Sequence, residues 1–98
     1  MTLMTSLLDA EIAARRIVDA VLPGLDQGAV WDVTGDLDCE DVFAAAALAL
    51  EAGSAVGFDV TPVLADLATV VEFLGDDPDA RTIAEHRAQA SARTLLAA

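Results

Sequence analysis

The chain has 98 residues, of which 17 are Asp or Glu and five are Arg, so its formal net charge is -12. This length suits one domain with one modest core, and we expect residues 1–98 to form it. Hydrophobic residues make up 55% of the chain, which is too many for a disordered protein. The negative charge argues against direct binding to nucleic acid or to an anionic membrane, because contacts with phosphate need Lys and Arg.

Other bulk features predict a cytoplasmic protein of bacterial or phage origin. Lys, Asn and Tyr are absent and Ala is abundant, a composition typical of high-GC genomes, and Cys39 is the only cysteine, which rules out an internal disulfide. The first ten residues lack the basic residues and the long apolar run of a signal peptide. The longest apolar stretch, residues 42–50, is far shorter than the roughly 20 residues that span a bilayer, so we expect no membrane association.

Apolar residues at helical spacing predict an all-α fold, a small bundle of about four helices with one longer irregular loop. The first predicted helix, residues 6–22, has Ser6 as its N-cap and stops at Pro23. The second, residues 39–52, follows Asp38 as its N-cap, with Leu37 and Val42 placed as a hydrophobic staple. Gly53 is the expected left-handed stop of this helix.

The second half of the chain predicts two more helices. The third, residues 62–74, follows Thr61 and ends at Gly75, and the fourth, residues 78–96, follows Asp77; each has proline in its first turn. Residues 25–37 are the expected irregular loop. Within it, residues 30–33 alternate between apolar and polar types, so a minor two-stranded element with residues 53–61 is an open alternative.

Nothing in the sequence matches a catalytic, metal or cofactor motif. Asp36, Asp38 and Glu40 alternate as calcium ligands would, but the glycine and glutamate of an EF-hand loop are missing from their positions. Cys39 has no CxxC partner, and His86 is the only histidine, too few for a zinc site without carboxylates. We therefore expect a protein that is not an enzyme and that holds neither a metal nor a cofactor.

The acidic residues are concentrated in the middle of the chain, which predicts a binding surface. Residues 26–41 contain six acids and no base, and such a surface attracts basic partners. The candidate partner-binding residues are Trp31, Asp32, Asp36, Asp38 and Glu40. Trp31 either fills a core that is poor in large side chains or anchors an interface, and of the two we favour inward packing.

The sequence therefore favours a small acidic, non-catalytic protein that binds another protein with a basic surface. A homodimer is a further expectation, since a small domain with an Ala-rich core gains from association. Two alternatives stay open at this stage. One is an acidic mimic of nucleic acid that inhibits a host enzyme, and the other is a structural subunit of a homo-oligomeric assembly.

Overall fold

The computed structural model describes the backbone of residues 6–97 and the side chains of residues 6–90. Its helices are α1 (Leu7–Val21), α2 (Gln27–Asp38), α3 (Val42–Ala55), α4 (Leu64–Leu74) and α5 (Pro78–Ala97), with 3₁₀ turns at Leu22–Gly24 and Thr61–Val63. The all-α prediction is confirmed for these residues. They form five α-helices rather than four, and they contain no strand, so the predicted helix number and the minor two-stranded element are wrong.

Four of the helices build most of the core, and α2 adds only Val33 to its fully buried side chains. The largest fully buried side chains include Ile17, Leu50, Leu67 and Ile83, one each from α1, α3, α4 and α5. α1 packs against α3 and α4, and α5 packs against the same two helices, so the four form a closed ring of contacts. α2 packs mainly on α3 and buries only Val33. Among residues 6–97, no helix is both long and apolar enough to cross a membrane.

The segment predicted as an irregular loop, residues 25–37, is mostly the helix α2. The Asp26 carboxylate accepts a hydrogen bond from the backbone N–H of Ala29 at 2.8 Å and so caps the helix start. Val30, Val33 and Leu37 then recur at helical spacing on the side toward α3, in buried or half-buried positions. The glycines of α2 argued against a helix in the sequence, because each glycine inside a helix lowers helix stability by about 1 kcal/mol relative to Ala.

The connection between α2 and α3 differs from the predicted cap at Asp38. Asp38 is the last residue of α2, and it is the Asp41 carboxylate that accepts from the backbone N–H of Ala44, at 3.0 Å, and caps α3. Glu40, at φ 60°, occupies the left-handed position between the helices. The staple between Leu37 and Val42 is therefore also wrong, since Leu37 does not directly precede the cap.

Gly53 is part of α3 and does not stop it. α3 continues to Ala55, and Gly57, at φ 79°, takes the left-handed position. The backbone N–H of Phe58 then donates to the carbonyl of Gly53 at 2.8 Å, which completes a Schellman motif. Gly53 is needed for space, because a Cβ there would lie 2.9 Å from Cγ1 of Val21. The predicted stop of the next helix at Gly75, at φ 63°, is confirmed.

Candidate interaction surface

The exposed residues of α2 all lie on one side of the helix. At about 100° per residue they cover an arc of about 140°, and the buried and half-buried residues occupy the rest of the circumference. We call this side the α2 outer face, and it consists of Gln27, Gly28, Trp31, Asp32, Gly35 and Asp38. Because α2 packs mainly on α3, this face points away from the helix that supports it.

Trp31 stands on the α2 outer face with 68% of its surface exposed. The expectation that it packs inward is therefore wrong. Val33 takes the core side of the helix and is fully buried, and residues two apart on a helix point in nearly opposite directions. A large exposed aromatic is the residue type most enriched at the centres of protein interfaces.

The predicted acidic residues divide between three places. Asp32 and Asp38 are exposed on the α2 outer face with Trp31. Asp36 is half-buried outside the α2 outer face, and its charge acts on Asp79 in the first turn of α5. Burial, together with the charges of Asp77, Asp41 and Asp36, raises the pKa of Asp79 above its ordinary value of 3.8. Asp36 therefore belongs to an acidic cluster between α2 and α5 and not to the surface around Trp31.

Glu40 lies at a groove between α1 and the α2–α3 connection. The groove encloses about 400 Å³ and is lined by Glu11, Arg15, Leu37, Glu40 and Val42. It contains a basic residue as well as two acids, so its charge is mixed. The fold thus brings together only three of the five predicted residues, Trp31, Asp32 and Asp38, and places Glu40 beside a basic side chain of α1.

The arginines of α1 offset some of the negative charge of the middle of the chain. Arg15 bonds to Asp19 within α1 at 3.1 Å, and Arg16 reaches Asp66 of α4 at 3.6 Å. These are the two ion pairs among the side chains of residues 6–90, and neither involves α2. The three acids of α2, Asp32, Asp36 and Asp38, are therefore outside both of these ion pairs.

Other chemistry-bearing groups do not assemble into a site in the part of the chain with described side chains. In that part, no three His, Cys, Asp or Glu residues are placed to hold a metal ion. Cys39 is exposed and free at the end of α2, and His86 is half-buried on α5. Comparison of the chain with protein-family models, curated protein sequences and solved structures found no significant match.

Proposed function

We propose that this chain is a non-catalytic protein-interaction protein that binds a basic surface of another protein through the α2 outer face. The single observation that carries this proposal is the exposure of its lone tryptophan, Trp31, on a helix side that the rest of the fold leaves uncovered. An exposed indole costs solvation free energy that burial against a partner recovers.

The negative charge around Trp31 indicates that the partner's surface is positively charged. Asp32 and Asp38 flank it on the same face, and Asp26 lies exposed at the helix start. No ion pair among the side chains of residues 6–90 reaches these carboxylates. A cationic surface would approach faster and in a preferred orientation, and the attraction would weaken with salt.

The test uses an oligo-arginine peptide as the probe and the emission of Trp31 as the readout, since the chain has one Trp. The site variant is D32N/D38N, which neutralises the two acids of the α2 outer face. The control variant is E51Q/E72Q, which neutralises two exposed acids elsewhere. Both variants carry a formal charge of -10, that is -12 plus 2, and they differ in where the charge is removed.

We expect the site variant to bind the peptide about tenfold more weakly than the control variant, and we expect a blue shift of Trp31 emission on binding to the wild type. Equal losses of affinity in the two variants would show that the peptide is attracted by the net charge of the protein and not by the α2 outer face. If duplex DNA competes with a protein bound through this face, the acidic mimic of nucleic acid becomes the better description.

A second candidate, association with another copy of the chain, is favoured by an exposed apolar patch on α1. Leu7, Leu8 and Ile12 are 53%, 67% and 44% exposed. The charges of α1 are nearly balanced, with three acids, Asp9, Glu11 and Asp19, against the two bases Arg15 and Arg16. Two copies that each carry a charge of -12 repel least where they meet at such a balanced surface.

Sedimentation velocity over a range of concentrations tests self-association through this patch. The variant L8Q/I12Q should remove a concentration-dependent dimer, whereas V56Q, which replaces an apolar residue that is 59% exposed on another part of the molecule, should keep it. A wild-type chain that stays monomeric at all concentrations would rule out both the homodimer and the role of a homo-oligomeric structural subunit.

A further inference from the structure

The groove between α1 and the α2–α3 connection joins apolar and charged side chains in one concave surface. Its apolar part is made by Leu37 and Val42, which are half-buried and pack against the core. Its charged part is made by Glu11 and Arg15 of α1 and by Glu40 of the connection. Small-molecule sites combine an apolar lining with a few polar groups and have volumes of about 300–1,000 Å³. The groove, at about 400 Å³, is large enough for a small amphipathic molecule.

The walls of the groove are held in place by the fold. Glu11 and Arg15 lie four residues apart and so share one side of α1. In the connection, the backbone N–H of Glu40 donates to the carbonyl of Leu37 at 2.9 Å, and the Asp41 carboxylate caps α3. These bonds fix the path of the chain between α2 and α3. The groove is therefore formed before a ligand arrives, which lowers the free-energy cost of binding.

The charges of the groove favour a cationic ligand. The Nε atom of Arg15 lies 3.1 Å from a carboxylate oxygen of Asp19, so the positive charge of Arg15 is already offset within α1. Glu11 and Glu40 take part in neither of the two ion pairs among the side chains of residues 6–90. The net charge of -12 also raises the concentration of cations near the protein. A ligand with a positive group therefore complements the groove better than an anion does.

We propose that the groove binds a small aliphatic amine. Its ammonium group pairs with Glu11 and Glu40, because charge-assisted hydrogen bonds to carboxylates are stronger than neutral ones. Its hydrocarbon part contacts Leu37 and Val42 and is removed from water there. An inorganic cation would leave this apolar part unused, and among residues 6–90 no three His, Cys, Asp or Glu side chains are placed to hold a metal ion. The groove shares no residue with the α2 outer face, so the amine is a ligand separate from the basic partner.

The experiment titrates the full-length protein with isopentylamine near neutral pH and at physiological ionic strength. The readout is the NMR chemical shifts of the backbone amides of Leu37, Glu40 and Val42. Two further probes separate the two parts of the ligand: isovalerate keeps the branched hydrocarbon but carries the opposite charge, and ammonium chloride has the charge without the hydrocarbon. We expect the amine to give saturable shifts at these amides and to bind at least about tenfold more tightly than ammonium. We expect no saturable shift with isovalerate.

Single substitutions test the two carboxylates. E40G removes one of them at a position where φ is 60°, a conformation that glycine adopts without strain, so the fold is retained. E11Q removes the other. E51Q is the matched control, since Glu51 is an exposed acid of α3 outside the groove, and all three variants carry a formal charge of -11, that is -12 plus 1. We expect E40G and E11Q each to weaken amine binding about fivefold, and E51Q to change it by less than about twofold.

The outcomes separate a site in the groove from attraction by net charge. Saturable shifts confined to the groove, with binding weakened in E40G and E11Q but not in E51Q, support the amine site. Equal weakening in all three variants, or shifts spread over the whole surface, would overturn it. Isovalerate that binds as tightly as the amine would also overturn it, and so would a wild-type protein whose amide shifts do not respond to the amine. The proposed function is tested separately, by peptide binding at the α2 outer face.

Discussion

Replacing Gly53 with alanine should destabilise the protein, although alanine is the better helix former. The change gains about 1 kcal/mol of helix propensity, because Gly53 lies within α3. The added Cβ would lie 2.9 Å from Cγ1 of Val21 and 3.2 Å from Cβ of Phe58. Val21 is fully buried and stiff at χ1, so it cannot move aside, and overpacking of this kind costs about 1–3 kcal/mol.

The steric cost outweighs the propensity gain, so we expect G53A to lose about 1 kcal/mol of unfolding free energy in urea titrations. For a chain of this size, that loss lowers the thermal midpoint by about 5 °C. A double-mutant cycle with V21A tests the cause. V21A removes the Cγ1 atom that the new Cβ would contact, so G53A should cost markedly less in that background.

Two results would refute this reasoning. A G53A protein as stable as the wild type would show that the contact with Val21 relaxes without cost. An equal loss in the wild-type and V21A backgrounds would point to the backbone instead, as expected if Gly53 were a left-handed helix stop. G57A is the matched control, since Gly57 has φ 79° and its cost should not depend on residue 21.

Three further predictions concern the α2 region and the core. E40G should raise the unfolding free energy by about 1 kcal/mol in urea titrations, because Glu40 has φ 60° and glycine has no Cβ to strain there; an unchanged value would contradict this. D79N should raise the unfolding midpoint at pH 7, since the raised pKa of Asp79 makes its ionised form unfavourable in the fold, and the advantage should vanish below about pH 3.8, the ordinary pKa. The unfolding free energy of W31Q should stay within about 0.5 kcal/mol of the wild-type value, whereas that of the control L50A should fall by about 2–5 kcal/mol. A large loss in W31Q would mean that Trp31 supports the fold.

Two helix ends with local signals were read correctly from the sequence, whereas the caps predicted at Asp38 and Thr61 and the stop predicted at Gly53 were wrong. Ser6 caps α1 through a bond to the backbone N–H of Asp9, and Gly75 ends α4 as expected. α2 could not be read in the same way. Its glycines weaken the helical pattern, and its one fully buried residue, Val33, is too little to show an apolar face. The cap at Asp26 was the available signal, because its side chain reaches the backbone three residues later.

The candidate surface was predictable only in part. Trp31, Asp32 and Asp38 share the α2 outer face, but Asp36 does not. Had residues 30–38 been a loop, any of these acids could have gathered around Trp31. Because these residues form a helix, their spacing decides which side of α2 each acid occupies, and Asp36 lies outside the α2 outer face. Proximity in sequence therefore overestimated how many acids surround the tryptophan.

The amino-acid sequence by itself determined the helical class and the negative charge, and most helix ends followed from residues within four positions of one another. Those features depend on composition or on bonds such as the one from Ala44 to Asp41, which need no distant partner. Only the tertiary structure decided that Trp31 is exposed, that Gly53 makes room for Val21, and that Arg16 lies beside Asp66. These features depend on which helix faces pack together, and that is set by contacts between residues far apart in the chain.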